Sequence, residues 1–292
     1  MTLSSPASSG VPFPAPPVPP DLMATVRGAL AEDLGSGDLT AETLVSAGQK
    51  VRATLWLREN AVIAGIPWFE ASFHLLDPSL RIGWKIGEGE QVEADTVLAE
   101  IEGRAHPVLG AERTALNFLQ LLSGTATVTR RYVQAVAGTP CRILDTRKTL
   151  PGLRSAQKYA TRVGGATNHR FGLYDAILIK ENHLASVGGI PAALEKARGH
   201  PGVRIILEVE TLTELEEALA LGAPWILLDN FSLDDVQEAV RLTAGRARLE
   251  ASGGMDLDTV RAVAACGVDF ISVGALTKHV RAVDLSLRII GD

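Results

Sequence analysis

The fold is decided by six short apolar segments in the second half of the chain: CRILDT (141–146), DAILIK (175–180), VRIILEVE (203–210), PWILLDN (224–230), ARLEASGG (247–254) and VDFISVGA (268–275). Such runs are typical of strands buried on both faces of a sheet. The later segments are separated by stretches with helical spacing that end in glycine, namely 212–222, 233–245 and 257–267. Strands alternating with helices predict an α/β fold with a parallel sheet, either doubly wound or barrel-like. We expect the barrel-like arrangement, with six strands instead of eight.

Polar residues at the ends of these strands are the reason for preferring a barrel. In an α/β barrel, functional groups cluster at the carboxyl ends of the strands, where the following loops converge on one face. The groups at the six ends are, in chain order, Asp145 with Arg147 and Lys148, Lys180, Glu208 with Glu210, Asp229, Ser252 with Gly253 and Gly254, and Gly274 with Ala275. A single charge at a strand end is usually only solvated, but charged or small residues at six strand ends in succession indicate a site.

The residue types at these ends favour an anionic, phosphorylated ligand. A dense positive patch is formed by Arg147, Lys148, His169, Arg170 and Lys180. The planar guanidinium of arginine donates two parallel hydrogen bonds to a carboxylate or a phosphate. Asp229 with Glu208 or Glu210 offers hard oxygen ligands for Mg²⁺, or acceptors for sugar hydroxyls. The small residues that follow the last two strands offer backbone N–H groups to a phosphate.

The first half of the chain is organised differently. Residues 1–20 contain seven prolines and no charge, which predicts a disordered leader. Helical spacing over 21–34 precedes short alternating strands with Gly and Asp turns over 51–103, and a long helical pattern follows from about Gly110 to Ala137. We therefore expect an N-terminal domain with a linking helix over 21–137, a barrel domain over 138–280, and a C-terminal segment, 281–292, that packs back on the N-terminal domain.

Composition excludes several classes of protein. The 292 residues are 46% hydrophobic and 21% charged, unlike a disordered chain. No stretch reaches the ~18 uncharged apolar residues of a membrane span, and the first 20 residues lack the basic start of a secretory signal, so we expect a cytoplasmic protein. A net charge of -6 provides no basic field for nucleic acid. The two cysteines and six histidines show no metal-binding spacing.

An ordered set of motifs resembles the quinolinate phosphoribosyltransferase family over essentially all of residues 21–292. The motifs are EDLGSGDLT (32–40), ERTALNFLQLLSG (112–124), DTRKTLPGLR (145–154), GGATNHRFGL (164–173), ILIKENH (177–183), LEVE (207–210), LLDNF (227–231), EASGG (250–254) and SVGALT (272–277). Each motif alone is modest, whereas the ordered set is highly specific. The resemblance implies a type II phosphoribosyltransferase with an N-terminal α/β sandwich domain and an incomplete α/β barrel. It also implies a homodimer, or a higher oligomer, whose active sites are shared between subunits.

The resemblance also implies a role for each matching residue. The cationic pocket for the two quinolinate carboxylates and the pyrophosphate comprises Arg147, Lys148, His169, Arg170 and Lys180, with Thr146 as a further substrate-binding residue. The acidic pair near Mg²⁺ and the ribose is Glu208 and Asp229, with Glu210 as a lesser candidate. The 5′-phosphate loops are Ser252, Gly253 and Gly254, and Val273, Gly274 and Ala275. The arginine donated by the partner chain is Arg113, and the catalytic residues are Lys148, Lys180, Glu208 and Asp229.

The chain departs from the family pattern in two places. Glu181 stands where the family often has aspartate, a change that keeps the carboxylate. Lys278 and His279 stand where the family commonly has His-Ser, so the resemblance assigns them no role.

The implied reaction converts quinolinate and phosphoribosyl pyrophosphate to nicotinate mononucleotide, pyrophosphate and CO₂ in de novo NAD biosynthesis, with Mg²⁺ and no organic cofactor. Three alternatives stay open: a related phosphoribosyltransferase acting on nicotinate or another planar acid, a Schiff-base aldolase that uses Lys180, and an inactive binding protein that kept the fold. The number of basic groups favours a substrate with two carboxylates.

Overall fold

A computed structural model describes residues 13–290. These residues form two compact units, one of residues 13–127 with 281–290 and one of Val128–Val280. The predicted disordered leader lies mostly outside the described residues, and the part that is described, 13–20, contains no helix or strand. None of the helices between residues 13 and 290 is long and apolar enough to cross a membrane.

Helices and strands alternate through most of the described chain. The helices are α1 (Leu22–Leu34), α2 (Leu39–Leu44), α3 (Ile66–His74), α4 (Ala105–Ala135), α5 (Arg154–Val163), α6 (Glu181–Val187), α7 (Ile190–Arg198), α8 (Leu212–Ala220), α9 (Leu233–Thr243), α10 (Val260–Ala265) and α11 (Ala275–Lys278). The strands are β1 (Lys50–Leu57), β2 (Ala61–Val62), β3 (Arg81–Trp84), β4 (Gln91–Val92), β5 (Thr96–Arg104), β6 (Arg142–Leu144), β7 (Ala176–Ile179), β8 (Arg204–Val209), β9 (Trp225–Asp229), β10 (Arg248–Ser252), β11 (Phe270–Ser272) and β12 (Leu285–Ile290).

The first unit is built on a four-stranded antiparallel sheet in the order β12-β1-β5-β3, and β1, β3 and β5 are strands of the region in which the sequence predicts short strands with turns. Its apolar core brings Leu55 and Leu57 of β1 together with Phe69 and Phe73 of α3 and Leu119 of α4. The C-terminal strand β12 pairs with β1, so the last described residues extend this sheet. The predicted N-terminal α/β sandwich is confirmed as a separate antiparallel sheet with helices.

Helix α4 begins five residues before the start that the sequence predicts. The sequence predicts a start near Gly110, but the helix begins at Ala105, directly after β5. Pro107 is compatible with this start, because proline is tolerated in the first turn of a helix. Gly110 lies inside the helix, where a Cβ would lie 3.3 Å from Leu34 Cδ2. The glycine therefore permits close packing and does not mark the helix start.

The second unit contains the six predicted parallel strands, in the order β6-β11-β10-β9-β8-β7. Each strand from β7 to β11 lies beside its successor, and the first strand, β6, lies beside the last, as in a barrel and unlike a doubly wound sheet. Among residues 13–290, β6 and β7 form the two edges of the sheet and do not pair with each other. A single isolated bridge, between Leu144 of β6 and Thr167, lies outside the paired strands. The predicted incomplete α/β barrel is confirmed.

Candidate active site

A cleft opens at the carboxyl ends of the parallel strands. Its walls are formed by Thr146, Arg147, Lys148, His169, Arg170, Leu178, Lys180, Glu208, Leu227, Asp229, Glu250, Ser252 and Ser272. Its volume of about 410 Å³ lies in the range of small-molecule binding sites. Nine of these residues are among those that the sequence places in the site.

A fully buried ion pair positions the loops that carry the cations. The Asp145 carboxylate, just after β6, pairs with the Lys158 ammonium of α5, and both side chains have no exposed surface. Asp145 also accepts hydrogen bonds from Thr161 Oγ1 (2.9 Å), Asn168 Nδ2 (2.5 Å) and the His169 backbone N–H (2.9 Å). Burial lowers the pKa of Lys158, against the opposing effect of the Asp145 carboxylate. This network joins the segment before Arg147 to the segment that carries His169 and Arg170.

The loop after Asp145 is held by one local hydrogen bond and one from a distant part of the chain. Thr146 Oγ1 accepts from the Lys148 backbone N–H at 3.1 Å, and the Lys148 carbonyl accepts from Thr277 Oγ1 at 2.8 Å. A Cβ on Gly274 would lie 3.0 Å from Lys148 Cδ, so the small residue lets the lysine side chain pass. Lys148 is therefore fixed through its backbone while its exposed ammonium stays available to a ligand.

Two arginines share the buried side of the cleft. Arg170 is 7% exposed, and its Nη1 donates to the Ala176 carbonyl at 3.1 Å. Burial lowers the pKa of Arg170, and the neighbouring Arg147 lowers it further. Arg147 Nε is buried and has no hydrogen-bond partner within the described part of the chain. Two guanidinium groups that line one cleft and repel each other are suited to an anionic ligand, which would relieve their repulsion.

Lys180 and Glu208 form an ion pair across two adjacent strands. Lys180 follows β7, and its Nζ donates to Glu208 Oε2 at 2.5 Å. The Glu208 side chain is 10% exposed and that of Lys180 is 44% exposed. The Lys180 side chain is therefore partly exposed to solvent, whereas the carboxylate with which it pairs is largely buried. Lysines that form Schiff bases are commonly desolvated in an apolar pocket, which lowers their pKa. The Lys180 amine is instead paired with the Glu208 carboxylate.

Asp229 is the second acidic residue of the cleft, whereas Glu210 does not line it. The strand β8 ends at Val209, so the alternation that would turn Glu210 inward stops one residue before it. Glu210 is exposed, and nearby carboxylates, Glu181 foremost, raise its pKa. Of the three acids that the sequence proposes for the site, Glu208 and Asp229 therefore face the cleft and Glu210 does not.

This acidic pair fits the manner in which proteins hold Mg²⁺. Residues 13–290 contain no cluster of three or more His, Cys, Asp or Glu residues that could enclose a metal ion. Magnesium is commonly bound by one or two carboxylates together with waters and substrate phosphates. Glu208 and Asp229 can supply those carboxylates, in a cleft whose cations would receive the phosphates.

Asn230 links the ends of β9 and β10. It has a left-handed backbone with φ of 57°, which asparagine tolerates better than most residues. Its Nδ2 donates to Asp229 Oδ2 at 2.9 Å, and its backbone N–H donates to the Ser252 carbonyl at 3.0 Å. A Cβ on Gly253 would lie 2.1 Å from Asn230 Oδ1. Asn230 therefore orients Asp229 and needs a glycine at position 253.

We expect Gly253→Ala to be more destabilising than Gly254→Ala. Both glycines have positive φ (96° and 58°), so alanine at either position is strained by about 1–2 kcal/mol. Only at 253 would the new methyl group also overlap Asn230, whereas nothing lies within 4 Å at 254. The overlap should add about 1–3 kcal/mol, to be measured as a larger fall in the urea midpoint. Equal midpoints for the two variants would contradict this packing.

Several residues singled out in the sequence do not line the cleft. Gly253, Gly254, Val273, Gly274 and Ala275 follow the lining residues Ser252 and Ser272 in the chain but are not part of its walls. Lys278 and His279 are exposed at the end of α11. Arg113 is an exposed residue of α4, in the first unit.

Sequence reasoning missed four residues of the cleft: Leu178, Leu227, Glu250 and Ser272. Side chains two apart on a strand point to the same face. Glu250 precedes Ser252 by two positions on β10, and Leu178 and Leu227 likewise precede Lys180 and Asp229. The alternation was therefore a usable signal.

Comparisons with known proteins agree over both units. Residues 38–123 match the family model for the N-terminal domain of quinolinate phosphoribosyl transferase, and residues 125–288 match the model for its C-terminal domain. The chain is 44% identical over 266 residues to a probable nicotinate-nucleotide pyrophosphorylase (carboxylating) of Synechocystis sp., covering 89% of this chain and 90% of that protein. It is 42% identical over 275 residues to the nicotinate-nucleotide pyrophosphorylase (carboxylating) of Mycobacterium leprae, covering 91% of this chain and 96% of that protein. The solved structure of the nicotinate-nucleotide pyrophosphorylase from Francisella tularensis superposes with a TM-score of 0.90 at 44% identity, covering 94% of this chain and 98% of that one.

Proposed function

Because the chain belongs to the quinolinate phosphoribosyl transferase family, we propose that it converts quinolinate and phosphoribosyl pyrophosphate to nicotinate mononucleotide, pyrophosphate and CO₂. This is the nicotinate-nucleotide pyrophosphorylase (carboxylating) reaction, a pentosyl transfer in the de novo synthesis of NAD. The observation that carries the proposal is the cleft itself, in which Arg147, Lys148, Arg170 and Lys180 converge beside Glu208 and Asp229.

The four cations fit the charge of the two substrates. Quinolinate has two carboxylates, and phosphoribosyl pyrophosphate carries a pyrophosphate and a 5′-phosphate. The paired arginines suit the planar carboxylates, since each guanidinium can donate two parallel hydrogen bonds. The lysines, as mobile point charges, suit the pyrophosphate oxygens. In this assignment Arg147 and Arg170 orient the ring, and Lys148 and Lys180 stabilise the leaving group.

The acidic residues act on the sugar side of the reaction. Departure of pyrophosphate from C1 of the ribose builds positive charge on the sugar, so fixed carboxylates near it lower the barrier. Glu208 and Asp229 would supply this negative field and hold Mg²⁺. The ion, when bound, would neutralise charge that develops on the pyrophosphate. The Asn230 amide keeps the Asp229 carboxylate oriented for this role.

Loss of CO₂ follows from the product of the transfer. Once the ring nitrogen carries the ribose, its positive charge stabilises the electron pair that remains at C2 when the C2–carboxylate bond breaks and CO₂ leaves. A proton from solvent then adds to C2 and gives nicotinate mononucleotide. The cleft therefore needs to supply orientation and charge, and no organic cofactor is required.

The test is an assay of the purified protein with phosphoribosyl pyrophosphate and Mg²⁺, with quinolinate and nicotinate offered separately. Nucleotide and CO₂ release from quinolinate is the expected result. Product only from nicotinate would refute the substrate assignment and favour the related phosphoribosyltransferase. No product from either acid would favour the inactive relative, and borohydride trapping of a carbonyl substrate on Lys180 would favour the aldolase.

A shared active site is the second part of the proposal. Arg113 is exposed on α4, far along the chain from the barrel motifs, and we assign it to the cleft of a partner subunit. Subunits carrying Arg113→Ala mixed with subunits carrying Lys148→Ala should regain up to about a quarter of wild-type activity, since one site in each mixed dimer then has both groups intact. Unmixed variants serve as controls. Failure of the mixture to exceed them would contradict sharing.

A further inference from the structure

Glu250 is a buried acid at the floor of the cleft for which the proposed reaction has no assigned use. It lies on β10 with no exposed surface, among groups that face the ligand space. A buried carboxylate is unfavourable unless both of its oxygens are matched by donors. The partners of these two oxygens therefore indicate what the residue does.

One oxygen is held by a rigid indole. Trp225 Nε1 donates to Glu250 Oε2 at 2.9 Å. The indole itself is stacked on Phe270, with ring centroids 4.5 Å apart and planes within 8° of each other. The Arg204 guanidinium lies over the indole, 5.3 Å from the ring centre. The orientation of the carboxylate is thus set by a packed aromatic pair.

The other oxygen faces His169. Glu250 Oε1 lies 3.4 Å from His169 Nε2, and it has no hydrogen-bond partner within residues 13–290. His169 is 8% exposed, and its backbone N–H and carbonyl are bound by Asp145 and Lys158. The imidazole therefore has little freedom except rotation of the ring.

The second ring nitrogen decides the tautomer. The Arg170 backbone N–H donates to His169 Nδ1 at 2.7 Å, so Nδ1 must be the unprotonated nitrogen. The proton of the neutral imidazole is then on Nε2, which faces Glu250. The positive charge of the cleft is then carried by Arg147, Lys148, Arg170 and Lys180, and the His169 ring contributes a neutral donor.

We infer that Glu250 is a positioning residue that orients the His169 ring as its Nε2–H tautomer, with Trp225 Nε1 fixing the carboxylate. Only a carboxylate can do this, because both of its oxygens present lone pairs: Oε2 accepts from the indole N–H, and Oε1 faces the imidazole N–H. A glutamine has one accepting oxygen and one donating NH₂, so it must oppose either the indole N–H or the imidazole N–H. The consequence for catalysis rests on the proposed function, whereas the tautomer does not.

The direct test is a long-range ¹H–¹⁵N spectrum of the full chain, labelled at its six histidines, at neutral pH. His169, assigned by its loss in His169→Asn, should show the neutral Nε2–H pattern in the wild-type protein. A protonated imidazolium or an Nδ1–H tautomer would overturn the inference. This reading requires no enzyme activity, so it is independent of the proposed function.

The variant test is Glu250→Gln, with the exposed Glu195→Gln of α7 as matched control. We expect kcat/KM for quinolinate to fall about tenfold to a hundredfold in Glu250→Gln, because the buried His169 Nε2–H then faces a donating NH₂ group in place of a carboxylate oxygen. The His169 signals should change in the same variant. Equal kinetics and equal spectra for the two variants would refute the inference.

A second substitution separates positioning from general damage to the fold. In Trp225→Phe with Glu250→Gln, the indole N–H is gone, so the glutamine oxygen is free to accept from His169. The phenyl ring can still stack on Phe270. We expect the double variant to regain the Nε2–H spectrum and part of the lost kcat/KM. A double variant worse than the sum of the single variants would show that Glu250 only supports packing.

Discussion

Replacing Lys158 with methionine is expected to lower the free energy of unfolding by about 3–5 kcal/mol, because it leaves the buried Asp145 carboxylate without a cation. Methionine has nearly the same volume, so the effect does not come from a cavity. Asp145 would keep Thr161, Asn168 and the His169 N–H as hydrogen-bond donors, so it loses only the cation. The His169 carbonyl also loses the hydrogen bond that it accepts from Lys158. Urea unfolding followed by circular dichroism measures the change.

The exposed Lys196 of α7 offers the matched control, and Lys196→Met should change stability by no more than about 0.5 kcal/mol. Adding Asp145→Asn to Lys158→Met removes the stranded charge, so the double variant should be less destabilised than the sum of the single variants. A Lys158→Met protein that unfolds at the wild-type urea concentration would mean that the pair contributes nothing to stability.

Loss of Lys180 is expected to have the largest effect on activity. In Lys180→Ala the cleft loses a cation, and Glu208, which accepts from Lys180 at 2.5 Å, becomes an unpaired carboxylate facing two anionic substrates. We expect kcat/KM to fall on the order of a hundredfold or more, as when one partner of a charge pair in a binding site is removed. The fall should appear with both substrates, in steady-state assays of quinolinate and phosphoribosyl pyrophosphate.

A double substitution distinguishes the loss of the Lys180 cation from the effect of the unpaired Glu208 carboxylate. If the stranded carboxylate is responsible, Lys180→Ala with Glu208→Gln should bind quinolinate better than Lys180→Ala alone, while turnover stays low because Glu208 is itself needed. Lys180→Arg keeps the charge but not the geometry and should retain partial activity. Near wild-type turnover in Lys180→Ala would remove this residue from the proposed mechanism.

Much of the fold and of the site can be predicted from short local patterns in the sequence. Continuous apolar runs separated by amphipathic helices require a parallel sheet, because such strands must be covered on both faces. The carboxyl ends of parallel strands meet at one edge, so Arg147, Lys180, Glu208 and Asp229 could be assigned to one cleft before any distance was measured.

Other features depend on contacts between residues far apart in the chain. The inward direction of Glu208 but not Glu210 depends on β8 ending at Val209. Gly110 lies inside α4 and not at its start, and there it packs closely against Leu34. Neither local propensity nor period indicates where a strand stops or how closely a helix packs, because both are set by the neighbouring elements.

The sequence by itself determined the fold class, the family and the charged groups of the cleft, since these depend on residue type and on spacing along one element. Only the tertiary structure decided that Asp145 pairs with Lys158, that Asn230 orients Asp229, and that Glu250 lies between Trp225 and His169. The physical reason is that a buried polar group is tolerable only when partners satisfy it. Those partners lie on other elements, at positions that no local pattern records.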